Sequence, residues 1–116
     1  MDKVNRSEEG SAKSKLDSKL DDLNRDVSLA IDLAQGLEAV NSEYTATAFA
    51  LVSLAEQRLA CEVEYAGVEW TIAWRGAIRA AVKSGDTERA RNLIEHLKVN
   101  FQIDPEFVGE LEALLS

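Results

Sequence analysis

An all-α chain, a small bundle of about five helices, is what three features of the sequence predict. Ala and Leu dominate the apolar residues, aromatic residues are few, and Pro105 is the sole proline. Ala and Leu lose little conformational freedom in a helix. From Leu16 onward, apolar residues recur at intervals of three and four, the period of a helix with one buried face. Two stop–start signals, Ser84-Gly85-Asp86 and Ile103-Asp104-Pro105, divide the last third of the chain. At 116 residues there is material for one core.

Residues 1–13, with almost no apolar side chains, read as a disordered tail ahead of a single helical domain over 14–116. The first helix spans about 14 to 40. Leu16, Leu20, Leu23, Val27, Ala30, Ala34 and Leu37 repeat at alternating spacings of four and three, which is an a/d seam suited to one partner helix. Leu29, Ile31 and Leu33 widen the stripe, so this end should be covered on more than one side. Asn41 or Ser42 then offers an N-cap for a second helix carrying Phe49, Val52, Leu59 and Val63, with Ala48, Ala50 and Ala55 permitting close approach.

The stretch "LACEVEYAGVEWTIAWRG" (59–76) supports two readings. Val63 and Tyr65, then Val68, Trp70, Ile72 and Trp74, alternate as in a β-hairpin turning at Ala66-Gly67. That pairing sets Glu64 opposite Glu69, and like charges across a ladder are destabilising. Ala-Gly is also not a favoured two-residue hairpin loop. The helical period runs on through Leu59, Val63, Ala66, Trp70, Ala73, Ala77 and Ala81. Helix is the preferred reading, with Gly67 as a possible break between a second and a third helix.

Downstream, Gly85 is placed to close the third helix in the left-handed conformation, and Asp86 or Thr87 to cap the fourth. Leu93, Ile94 and Leu97 form the buried face of that helix. Residues 99–103 read as a connector. Asp104 as N-cap, Pro105 at the first helical position and Glu106 at the positive end of the dipole start a fifth helix over about 105–115. Its apolar face is Phe107, Val108, Leu111, Leu114 and Leu115.

The segment "WRGAIRAAVKSGDTERARNLI" carries Trp74 in one helix, Gly85 at the turn and Ala90 at a small packing position in the next. It resembles a tetratricopeptide-type (TPR-like) helical hairpin over about residues 71–104. Ala77, Ile78 and Ala81 depart from the residues that family prefers, and no second copy of the pattern is present. The resemblance implies hairpin geometry in the C-terminal part of the bundle.

The chemistry-bearing residues are sparse. One cysteine, Cys61, and one histidine, His96, exclude multi-ligand Cys/His zinc sites and the paired Glu-x-x-His motifs of di-iron bundles. Cys61 among Leu59, Ala60 and Val63 reads as a small core residue, and His96 as a cation suited to a helix C-terminus. The acidic pairs Asp21/Asp22, Glu62/Glu64 and Glu110/Glu112 stand one or two apart and do not face each other on a helix. Gly36, Gly67, Gly76, Gly85 and Gly109 are too dispersed for a phosphate loop. No enzyme activity, cofactor or metal is expected.

Charge is unevenly spread. The net −8 is concentrated in residues 16–69, whereas Arg75, Arg79, Lys83, Arg89, Arg91 and Lys98 make 75–98 basic. Overall acidity argues against general nucleic-acid binding and against anionic membranes. With a single cysteine and no signal-peptide pattern, the expected setting is the reducing cytoplasm.

The expectation is therefore a non-enzymatic protein–protein interaction module: an adaptor, assembly chaperone or regulatory subunit. Two large rings on one helix face, Trp70 and Trp74, are most often core, yet tryptophan is also enriched at binding hot spots. The contact residues would be the seam of Leu16, Leu20, Leu23 and Val27, and a second surface of Trp70 and Trp74 rimmed by Arg75, Arg79 and Lys83. The partner would be another protein, a second copy of the chain in a homodimer being the simplest. The alternative is an acidic inhibitor or nucleic-acid mimic, of the phage-antagonist or antitoxin kind, blocking a basic site on a nucleic-acid-handling protein.

Overall fold

In the computed structural model, the backbone is described for residues 2–116 and the side chains from Lys15 onward. The expected disordered tail over 1–13 thus lies outside the residues described with side chains. Five helices follow one another: α1 (Asp2–Ala39), α2 (Thr45–Ala60), α3 (Val68–Lys83), α4 (Thr87–Asn100) and α5 (Pro105–Ala113). No strand occurs among the described residues, so the all-α expectation holds with the helix number it gave. Among the described residues no helix is long and apolar enough to cross a membrane.

The turn from α1 to α2 differs from expectation in its caps. Asn41 is not an N-cap; it takes a left-handed conformation at φ 53°, which Asn tolerates better than most residues, and ends α1. Ser42 Oγ accepts from the Tyr44 amide at 3.1 Å, and Tyr44 precedes α2 without a side-chain cap.

Residues 61–67 are neither hairpin nor continuous helix. They form a loop, and Val68–Trp74 belongs to α3. Glu62 and Glu64 stand at the negative end of the α2 dipole, where acidic side chains oppose helix continuation. Ala66 then enters the left-handed region at φ 62°, and Gly67 is extended as the N-cap of α3. The later boundaries match the sequence signals. Gly85 sits at φ 84°, Asp86 Oδ1 accepts from the Arg89 amide at 3.0 Å, and Asp104 Oδ1 accepts from the Glu106 amide at 2.9 Å.

Consecutive helices pack on one another, with α2 between α1 and α3, α4 on α3, and α5 on α4. Small residues let the centre close: Ala73, Ala77, Ala80 and Ala81 of α3, Ala48 and Ala60 of α2, and Ala34 of α1 are all buried. The main core gathers Leu23 and Val27 of α1 with Leu59, Trp70, Trp74, Ile78, Leu93, Ile94, Leu97 and Leu111. A smaller cluster of Ala34, Ala48, Phe49, Val52 and Ala80 lies toward the α1–α2 turn.

The molecule is a flat slab of 59 × 35 × 18 Å, because α1 far outruns its neighbour. Its 38 residues extend about 57 Å, against about 24 Å for the 16 residues of α2. Lys19 meets Glu62 just past the C-terminus of α2, at 2.8 Å. The part of α1 ahead of Lys19 therefore projects beyond the end of α2.

Candidate interaction surface

The two surfaces expected from the sequence fare differently. Trp70 and Trp74 do meet one turn apart, edge to face with ring centroids 6.3 Å apart, but they are only 4% and 1% exposed. Tyr65 and Phe101 pack on Trp70 at 5.2 and 5.3 Å, Phe107 lies at 6.2 Å, and His96 covers Trp74 at 5.8 Å. The Tyr65 hydroxyl donates to the Gln102 carbonyl at 3.0 Å, which ties the 61–67 loop over the cluster. Of the two readings of this pair, core or open groove, the structure has the core: Tyr65 and Phe101 cover the rings from the connections on either side of the α3–α4 hairpin.

The basic stripe is partly engaged. Arg75 Nη2 donates to Glu110 Oε2 at 2.7 Å, and its guanidinium lies 5.8 Å from the Phe107 centroid. Lys83 Nζ lies 3.7 Å from Glu38 Oε1 and 4.7 Å from the Phe49 centroid. Arg79 is exposed. Arg89 is engaged inside the bundle. Its Nε donates to Ser53 Oγ at 3.1 Å and its Nη2 to Gln57 Oε1, while Ser53 Oγ donates to the Ala77 carbonyl at 2.7 Å. These bonds tie α2, α3 and α4 together.

The α1 seam divides. Leu23 and Val27 are buried in the chain's own core, Leu20 is partly buried against it, and Leu16 is 46% exposed. The seam is therefore mostly satisfied within the molecule and becomes free toward the projecting end.

What sequence reasoning missed is the outer side of the α1–α2 hairpin. Leu29 and Leu33 of α1 and Leu51 and Leu54 of α2 are each about half exposed or more. Leu51 and Leu54 also line a groove of about 620 Å³ together with Lys19 and Leu23 of α1, Ala55, Gln57 and Arg58 of α2, and Cys61 and Glu62. Helical phase was the available signal. At about 100° per residue, Leu29 and Leu33 fall well away from the Leu23–Val27–Ala34 line, as Leu51 and Leu54 do from the Val52–Leu59 line. Cys61, expected in the core, is exposed at the C-cap of α2. Desolvation first, and Glu62 second, push its thiol above the usual range, which disfavours the nucleophilic thiolate.

One buried carboxyl also escaped the sequence reading. Glu56 is 8% exposed, and its Oε2 has no hydrogen-bond partner. It occupies the space left by the missing side chain of Gly76, where an added Cβ would overlap the carboxylate. Burial pushes the Glu56 pKa up to about 7 despite the opposing charge of Arg79. Among the described residues no group of three or more His, Cys, Asp or Glu side chains is arranged to hold a metal ion. No family model matches the chain, and neither a curated protein nor a solved structure does.

Proposed function

We propose that this protein is a non-enzymatic interaction module whose contact surface is the outer face of the α1–α2 hairpin. The observation that carries the reading is a groove lined by the exposed leucines Leu51 and Leu54 of α2, on a helix pair whose α1 also leaves Leu29 and Leu33 exposed and whose opposite sides are buried in the core. Apolar patches with polar rims mark interaction sites more often than isolated exposed residues do, and a groove between two helices suits an amphipathic helix. The TPR-like α3–α4 hairpin, turning at Gly85 and packed at Ala90, serves in this reading as the scaffold that holds α2 in place.

Co-purification from the native cell at about 0.5 M salt tests it, since the screening length there is only a few Å. The wild-type chain should retain its partner, Leu51→Asp/Leu54→Asp should lose it, and Ile72→Asp, on an exposed part of α3, should keep it. Equal retention by all three forms would overturn the reading.

A second reading rests on Asp17, Asp21, Asp22, Asp26 and Asp32, all exposed along α1. Carboxylates exposed along a helix support mimicry of a phosphate backbone toward a basic channel. Its complex would weaken steeply with salt and would be abolished by neutralising Asp17, Asp21 and Asp32 together, exposed residues that stand on another side of α1 from Asp22 and Asp26 and leave the leucine face intact.

A further inference from the structure

We propose that the occupant of the α1–α2 groove is a second copy of this chain, docked antiparallel through α1 about a twofold axis that passes between Leu20 and Asp21. The inference rests on the functional reading above and gives its partner an identity.

Three observations lead there. The first is the projecting end of α1: ahead of Lys19 it has no α2 beside it, and Leu16 presents an exposed apolar side chain. The second is the groove on the same helix pair, lined by the apolar Leu23, Leu51, Leu54 and Ala55 and by the charged Lys19 and Glu62. The third is a charge pattern. Lys15, Lys19, Asp22 and Asp26 are spaced four, three and four apart, which puts them within about 60° of arc on one side of α1 at about 100° per residue. Lys19 lines the groove, so the stripe borders it.

This stripe is positive in its first half and negative in its second, and it is self-complementary. Lys15 and Asp26 are equidistant from the Leu20–Asp21 bond, and so are Lys19 and Asp22. A twofold axis there sets Lys15 of each copy beside Asp26 of the other, and Lys19 beside Asp22. A parallel, in-register pair would instead set Lys against Lys and Asp against Asp. The same axis places Leu16 of one copy alongside position 25 of the other. Lys19 meets Glu62 and the two helices run antiparallel, so position 25 lies level with the middle of the groove. Each projecting end thus fills the groove of its partner, which is the isologous arrangement of a twofold dimer.

The test is molar mass by light scattering during size-exclusion chromatography of the full chain, with the fold of each variant verified by circular dichroism. The wild type should elute at twice 12.8 kDa. Lys15→Asp/Lys19→Asp and Asp22→Lys/Asp26→Lys should each dissociate, with the dissociation constant raised by roughly a hundred-fold or more, since four attractive pairs become repulsive. Mixing the two variants should restore the dimer, because every reversed charge then meets its complement across the interface, the lost pairs of Lys19 with Glu62 and of Asp22 with Arg25 lying within each chain. A dimer indifferent to both reversals, or variants that stay monomeric when mixed, would overturn the antiparallel α1 interface. A monomeric wild type at about 100 µM, well above the dissociation constants of stable dimers, would overturn self-association. The functional reading would survive that result if Leu51→Asp/Leu54→Asp still abolished co-purification of a different protein, and would fall with it if not.

Discussion

Replacing Glu56 by Gln should make the protein more stable, and by an amount that grows with pH. The Glu56 carboxyl sits in the α2–α3 contact against the Gly76 backbone with one oxygen unpartnered, and burial outweighs Arg79 in setting its pKa near 7 against the ordinary 4.5. The folded state thus holds the Glu56 proton more tightly than the unfolded chain does. Stability from this residue is fully present below about pH 4.5, declines as pH rises through the interval, and is lost above about 7. At about 1.4 kcal/mol per pH unit, the interval amounts to roughly 3 kcal/mol, a large part of the 5–15 kcal/mol typical of a domain. Gln has nearly the same shape and does not titrate. In urea titrations followed at 222 nm, the stability of Glu56→Gln relative to wild type should rise from about 1 kcal/mol at pH 5.2 to about 3 kcal/mol at pH 8.5. Taking the difference cancels the response of the other acidic residues. A difference that stays flat across this range would refute the reasoning, since it would mean that Glu56 is ionised and well solvated in the folded state.

Other substitutions follow from the same contacts. Gly76→Ala forces a methyl group into the Glu56 carboxyl and should cost about 1–3 kcal/mol. In a Glu56→Ala background the same change should become neutral or stabilising by up to about 1 kcal/mol, from helix propensity, so a double-mutant cycle by denaturation should give strong coupling. Ala66→Gly removes the left-handed strain at φ 62° and should raise stability by about 0.5–1 kcal/mol, read as a higher denaturation midpoint with an unchanged slope. Ser53→Ala should cost about 1–3 kcal/mol, because it leaves the Arg89 Nε donor without its Ser53 acceptor and removes the second hydrogen bond to the Ala77 carbonyl at the three-helix junction.

The parts of the fold legible in the sequence were those set locally. Asp104 and Pro105 fix the start of α5 within two residues, and Asp86 and Gly85 do the same between α3 and α4. The break at 61–67 was harder to see, because a left-handed Ala66 has no residue signature and the helical period runs through it by coincidence. Trp70 and Trp74, four apart, share one face whether the segment is read as helix or as strand. Whether that face is open depends on Tyr65, Phe101 and Phe107, which reach it from the loop after α2 and from the segment around α5. Glu56 was illegible for the same reason, since its burial is created by Gly76 across the α2–α3 interface. The α1 seam was read correctly as apolar, yet Leu23 and Val27 are covered by the chain's own helices. Only the packing reveals that Leu29, Leu33, Leu51 and Leu54 are left outside.

Site-specific photo-cross-linking tests most directly whether that outer face is a contact surface. A photoreactive phenylalanine at position 54, and a control at position 72 on α3, would be irradiated in the native cell and the adducts mapped by mass spectrometry. Leu54 and Ile72 are comparably exposed, at 49% and 57%, so solvent access alone does not separate them. Adducts from position 54 should map to one amphipathic helical segment, the Leu16 region of a second copy if the dimer holds, and position 72 should give none. Equal labelling from both positions, or none from either, would contradict the assignment of the α1–α2 face as the interaction surface.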